Sequence, residues 1–205
     1  PNGVDPERFS VRTTRSPEPP RVLYLGTLAP WQGVPFLLQA LRLVADEHDV
    51  SLRVVGGGRR EWRKECEHLV RKLELEARVE LLPPVSPEAV PALVTESDLC
   101  VAPLTVTDRN MTQGCCPIKI LEYMAAGRPI AAARLPPVCE VLADEETALL
   151  YKPDKPRRLA EVMLRLLSDP VLADRLGREA ARVVRERFTW ERHNNTVAEV
   201  YRGLL

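Results

Sequence analysis

Short apolar runs that end in glycine or proline alternate along this chain with apolar residues spaced by three and four. The runs are continuous rather than alternating, the pattern of strands covered on both faces. Residues 22–25, closed by Gly26, predict the first strand, and 52–55, closed by Gly56, Gly57 and Gly58, the second. Residues 79–82, 99–102, 129–133 and 148–151 predict four more. Helical spacing covers 34–44, and Trp62, Cys66, Leu69, Val70 and Leu73 form one face of a second helix. A short helix is expected directly after Ser86, with its hydroxyl as cap and Pro87 at the first helical position. Leu159, Val162, Met163, Leu166 and Leu167 make one stripe near the end, and Leu172, Leu176, Ala180, Val183 and Val184 the next. Ser168-Asp169-Pro170 reads as a stop and restart between them, and a last helix runs from about Trp190 to Tyr201.

Strands alternating with helices predict an α/β fold: a doubly wound, parallel, Rossmann-like sheet of about six strands, with helices on both faces and further helices at the C-terminus. Right-handed crossovers put every strand's C-terminal end on one edge. The loops after residues 25, 55, 82, 102 and 133 should therefore line a single rim, the expected ligand crevice. Residues 1–20 are proline-rich, lack periodicity and read as a linker; 21–187 are the folded domain, and 188–205 a separate terminal helix.

Composition narrows the function. A hydrophobic fraction of 45% and a charged fraction of 28% over 205 residues fit one water-soluble core. With 29 basic and 29 acidic residues the formal charge is +0, which argues against nucleic acid as a partner. The cluster Lys152, Lys155, Arg157 and Arg158 reads as a solvated helix start. No apolar run approaches the ~20 residues of a membrane span, and no signal peptide is visible. The chain begins at Pro1 rather than Met and is expected to be a fragment. Five cysteines without C-x-x-C spacing argue against a disulfide frame or a zinc site and fit a reducing cytoplasm. Cys100 reads as core, and the vicinal Cys115–Cys116 either as small residues packing a tight loop or as a metal or redox pair. His48, His68 and His193 fall on predicted helices away from the rim, and neither a Ser-His-Asp set nor a D-x-D metal motif stands out.

The chemistry concentrates in residues 114–130, GCCPIKILEYMAAGRPI. Glu122 stands early in a short predicted helix between an irregular loop and a strand. A helix start offers N–H groups to phosphate, and a carboxylate can accept hydrogen bonds from a ribose diol. The first rim loop, 26–33, also precedes a helix whose start would suit a phosphate. Gly56-Gly57-Gly58 is not a Walker loop, since no Lys-Ser/Thr follows.

The segment C-P-I-K-I-L-E-Y-M-A-A-G-R-P-I resembles the donor site of the family 4, or group 1, retaining glycosyltransferases, specifically the C-terminal domain of their two-domain GT-B architecture. Pro1-Asn2-Gly3-Val4-Asp5 with Phe9 resembles the family's linker into that domain, and Phe188-Thr189-Trp190 its final helix, which crosses back to the other half. The resemblance implies that Glu122 binds ribose and that Gly26, Thr27, Gln32 and Lys119 face the diphosphate. It also implies that Gly114, Cys115, Cys116, Pro117 and Ile118 form a sugar loop and that Gly57, Pro84 and Val85 lie at the base. Thr27, Gln32 and Gly114 stand where the family's Arg, Lys and first Glu are found. Lys119 then either faces the diphosphate or points to solvent. The polar loop 104–116 is expected to close over the sugar and to be poorly ordered without it.

The implied activity is transfer of a hexose-type sugar from a UDP- or GDP-linked donor to a hydroxyl, with no cofactor or metal and with no catalytic residue identified in this half. The implied partner is an N-terminal acceptor domain, through which the whole enzyme could associate peripherally with a membrane. A degenerate binding or scaffold domain, and a nucleotide-sugar epimerase of the same architecture, are the alternatives.

Overall fold

The computed structural model describes residues 2–11, 19–113 and 116–203. Six parallel strands form one sheet in the order β3-β2-β1-β4-β5-β6. They are β1 (Arg21–Leu25), β2 (Ser51–Val55), β3 (Val79–Leu82), β4 (Leu99–Ala102), β5 (Ile130–Ala133) and β6 (Leu149–Tyr151). The central strands β4 and β5 are buried at every position, which explains their unbroken apolar runs. The expected start of β5 at Pro129 moves by one residue, yet the Pro129 carbonyl still accepts from Cys100 N–H.

The principal helices are α1 (Val34–Ala45), α2 (Arg60–Lys72), α3 (Val90–Thr95), α4 (Asp108–Met111), α5 (Ile118–Ala125), α6 (Pro136–Cys139), α7 (Pro156–Ser168), α8 (Pro170–Arg187) and α9 (Trp190–Arg202). Helix α1 packs against α2 and α7, and α5 against α3 and α8. Asp169 ends α7 and caps α8 by accepting from Leu172 N–H at 2.9 Å, as the Ser-Asp-Pro signal predicts.

Two expected features differ. The helix after Ser86 does not start at Pro87: residues 87–89 form a turn closed by Ala89 N–H on the Ser86 carbonyl, and α3 begins at Val90 without a side-chain cap. His48 lies just beyond α1, where a ring nitrogen meets Ser168 Oγ at 2.9 Å.

The strand order reverses between β1 and β4, which pair only through Val22–Leu99 and Leu23–Cys100. Beyond those pairs the strands part, and Leu25 N–H is satisfied by the buried Tyr123 hydroxyl of α5 at 2.9 Å. That bond fastens α5 to the mouth of the switch point. The C-terminal end of α5 is fixed as well. Gly127, at φ 63, donates to the Met124 carbonyl and Arg128 N–H to the Tyr123 carbonyl, a Schellman pattern that the A-A-G-R-P sequence permits. The buried Arg128 guanidinium then reaches the Ser97 carbonyl at 3.1 Å, tying α5 to the turn before β4.

Candidate functional site

A cavity of about 500 Å³ opens at this switch point. Its walls come from the loops after β1, β2, β3 and β4 and from the start of α5. The loop after β5, expected on the same rim, does not line it among the described residues.

The β1 loop supplies Gly26, Thr27 and Gln32, and the Tyr24 hydroxyl donates to the Thr27 carbonyl at 2.7 Å, folding the loop back on its own strand. A 3-10 turn over Pro30–Gln32 separates the strand from α1. The start of α1 is therefore carried away from the cavity: Gly33 and Val34 are buried, and neither lines the cavity. The helix start expected to suit a phosphate is thus not among the residues that line this cavity.

Gly57, Pro84 and Val85 form the wall beyond β2 and β3. Cys116, Pro117 and Ile118 lead into α5 and line the opposite wall; Gly114 and Cys115 lie outside the described residues. Glu122 is the fifth of the eight residues of α5 rather than an early one, so its carboxylate enters from the second turn. Burial pushes its carboxyl above the usual carboxylate range, and the nearby cations Lys119 and Arg8 draw it part of the way back. Arg8 comes from the N-terminal segment and donates to the Pro87 carbonyl at 2.9 Å.

Lys119 does not point to solvent. Its ammonium donates to Gln32 Oε1 at 2.7 Å and sits 4.1 Å from the Tyr24 ring centroid, within the cavity wall. Lys119 and Glu122 are three residues apart and so share a helical face, which delivers one cation and one carboxylate to the same cavity.

The loop after β4 holds more structure than its polar sequence suggests. Thr107 caps α4, and the buried Asn110 amide donates to the Trp31 carbonyl at 2.8 Å and to the Thr105 carbonyl at 2.9 Å. Its first half is thus joined to the β1 loop. Arg109 of α4 is a second cation of the cavity wall. Sequence reading placed it only among the loop's polar residues, because nothing in the local pattern signals that Asn110 would turn inward and fix its neighbour.

Among the described residues no cluster of three or more His, Cys, Asp or Glu is placed to hold a metal ion. Among them, too, no helix is long and apolar enough to cross a membrane. Cys66, Cys100, Cys116 and Cys139 are free thiols; Cys66 and Cys100 are buried.

Comparison with known proteins gives a consistent result. Residues 19–169 match the family described as "Glycosyl transferases group 1". An alpha-D-kanosaminyltransferase of Streptomyces kanamyceticus is 27% identical over 90% of this chain and 46% of its own length. Sucrose-phosphate synthase from Thermosynechococcus elongatus superposes with a TM-score of 0.86 at 25% identity, covering 100% of this chain and 51% of that one. Anabaena Alr3699/HepE, solved in complex with UDP-glucose, gives a TM-score of 0.85 at 22% identity over 98% of this chain and 56% of that one. The chain thus spans about half the length of the curated relatives it matches.

Proposed function

The chain belongs to the group 1 glycosyltransferases, and from that premise we propose that it is the donor-binding half of a retaining enzyme that moves a sugar from a nucleoside diphosphate to a hydroxyl. The observation that carries this reading is the pairing of Lys119 and Glu122 on one face of α5, both lining the cavity at the strand-order switch. A nucleoside diphosphate presents a neutral diol and an anionic diphosphate in sequence. A carboxylate accepts from the diol, and an ammonium suits the phosphates.

In this assignment Glu122 holds the ribose. Gly57, Pro84 and Val85 take the base. Gly26, Thr27, Gln32 and Lys119 face the diphosphate. Cys116, Pro117 and Ile118 approach the sugar. Lys119 would stabilise charge as it develops on the departing diphosphate. The donor is a UDP- or GDP-linked hexose, and UDP is the first probe because the Anabaena neighbour of the same fold was solved with UDP-glucose.

The other half of such an enzyme would bind the acceptor. Residues 1–20 and 188–205 then serve as the connection between halves. Their junction is built: Val4 N–H donates to the Phe188 carbonyl at 2.9 Å, and Trp190 N–H to the Val4 carbonyl at 3.2 Å. The free thiols suit a reducing compartment.

The uncharged Thr27 and Gln32 favour a second reading, a scaffold domain that has lost its ligand. Calorimetry of the chain with UDP and GDP separates the two. Binding below millimolar concentration supports the donor site, and no heat at millimolar nucleotide supports the scaffold.

A further inference from the structure

Two adjacent tryptophans, Trp31 after β1 and Trp62 in the first turn of α2, are flanked by two arginines, Arg109 of α4 and Arg59 before α2. The Arg109 guanidinium lies 5.3 Å from the Trp31 ring centroid. Trp31 packs edge-on against Trp62, with centroids 5.6 Å apart and planes at 78°. The Arg59 guanidinium lies 5.3 Å from the Trp62 ring centroid. Of these four, Arg109 lines the cavity.

A guanidinium held over a ring by cation–π attraction keeps its N–H donors available to another acceptor. Its five N–H donors point outward in its own plane, in the fork that matches two oxygens of a phosphate. The ring contact also restrains a long side chain that would otherwise lose rotational freedom on binding. Arg109 is held from behind as well, since its neighbour Asn110 is fixed by the Trp31 carbonyl. One tryptophan thus meets the side chain of this arginine with its ring and anchors the neighbouring Asn110 with its carbonyl.

Position along the cavity follows from the strand order. The loops after β3 and β4 are three strand spacings apart, roughly 14 Å. A nucleotide with its base beside Pro84 and Val85 and its ribose at Glu122 extends its phosphates toward β1 and β4. Lys119 stands beside the β1 loop, and Arg109 one loop further out.

We propose that Arg109 grips the distal phosphate of the donor, and that Trp31, braced by Trp62, is the positioning residue that aims it. This inference rests on the donor-site reading above, and the test separates the two. The chain, Arg109→Gln, Arg109→Lys, Trp31→Leu and Trp31→Phe are titrated with UDP, UMP and uridine, and with GDP, GMP and guanosine. One charge-assisted contact to the distal phosphate predicts that Arg109→Gln weakens the diphosphate about tenfold or more. The monophosphate and the nucleoside should change by no more than about twofold, because neither carries that phosphate. Arg109→Lys, which keeps charge but loses the fork, falls between. Trp31→Leu lowers the preference for diphosphate over monophosphate, and Trp31→Phe, which keeps an aromatic face, restores most of it.

Arg109 is exposed, so its variants test contact rather than folding. An equal loss for UDP, UMP and uridine, or no loss, overturns the assignment. If the parent chain binds UDP and Lys119→Ala weakens it while Arg109→Gln does not, the donor site stands and only the role of Arg109 falls. If neither diphosphate binds the parent chain, both fall together.

Discussion

Lys119 Nζ lies 2.7 Å from Gln32 Oε1, and this bond joins the two sides of the cavity. Lys119 belongs to α5, behind β4, while Gln32 closes the 3-10 turn after β1. The uncharged Gln32 is therefore not a mere loss. Its amide oxygen orients the ammonium, and the face of Tyr24 supports the same charge from the strand side. A lysine at 32 would set two ammonium groups against each other at this place.

Lys119→Ala should weaken UDP or GDP about tenfold or more, since a hydrogen bond to a charged group contributes roughly 1.5–3 kcal/mol. The nucleoside alone should be almost unaffected. Calorimetry on both ligands checks this, and equal losses would show that the ammonium does not meet the phosphates.

Glu122 carries a pH signature. Its ionised form accepts from hydroxyls, and burial lifts its carboxyl above the usual carboxylate range. Nucleotide affinity should accordingly begin to fall, on acidification, at a higher pH than an ordinary glutamate would dictate. Stability moves the other way. The folded chain binds the extra proton, so the unliganded chain gains stability as pH falls from above the folded-state value toward the unfolded one. Glu122→Gln should remove both pH steps, weaken nucleotide about tenfold or more at neutral pH, and leave Tm unchanged or higher there. Titrations and melts of both proteins across mildly acidic pH are the measurement; a parallel pH dependence in parent and variant would exclude Glu122.

Most of the frame was legible in the sequence because its signals are local. Apolar runs ending at Gly26 and Gly56 mark buried strands, and Asp169 announces a helix start. The candidate cavity was legible as far as the motif extends: Gly26, Thr27, Gln32, Gly57, Pro84, Val85, Lys119 and Glu122 all line it. What could not be read depends on long-range contacts. Whether Lys119 faced water or the cavity was decided by Gln32, 87 positions away. Arg109 owes its place to Trp31, and Asn110 reaches the same residue across 79 positions. Neither leaves a periodic trace. The misplaced start of α3 is a different failure: Ser86 and Pro87 suit a turn as well as a cap, and the turn won.

Gly33 holds the two loops of the switch point together. Its φ is 72, and a Cβ there would lie 1.8 Å from the Pro103 carbonyl oxygen. Gly33→Ala combines left-handed backbone strain of about 1–3 kcal/mol with overpacking of similar size. A loss of about 3 kcal/mol corresponds to a fall in Tm of roughly 6–12 °C for a chain of this length. Thermal melts test it, and a shift of about 1 °C or less would mean that the loops can part without cost.

The chain alone should bind donor and yet fail to transfer sugar. The described cavity is built from strand-end loops and α5 on one sheet edge. Helix α9 is held at its start by Val4 and has no buried residue; Trp190, Val200 and Tyr201 are exposed along it. An apolar helix face carried outward beside the hinge suits contact with another domain, in keeping with a chain that spans about half of its relatives. Positioning of two substrates contributes about 7–11 kcal/mol to such reactions, and one half of a cleft does not supply it. Donor and a broad panel of hydroxyl acceptors are to be incubated with the chain and glycoside product followed. Slow hydrolysis of donor is compatible with an isolated donor site. Transfer at about 1 s⁻¹ or faster would show that this half already holds a complete reaction centre, and the two-halves reading would be wrong.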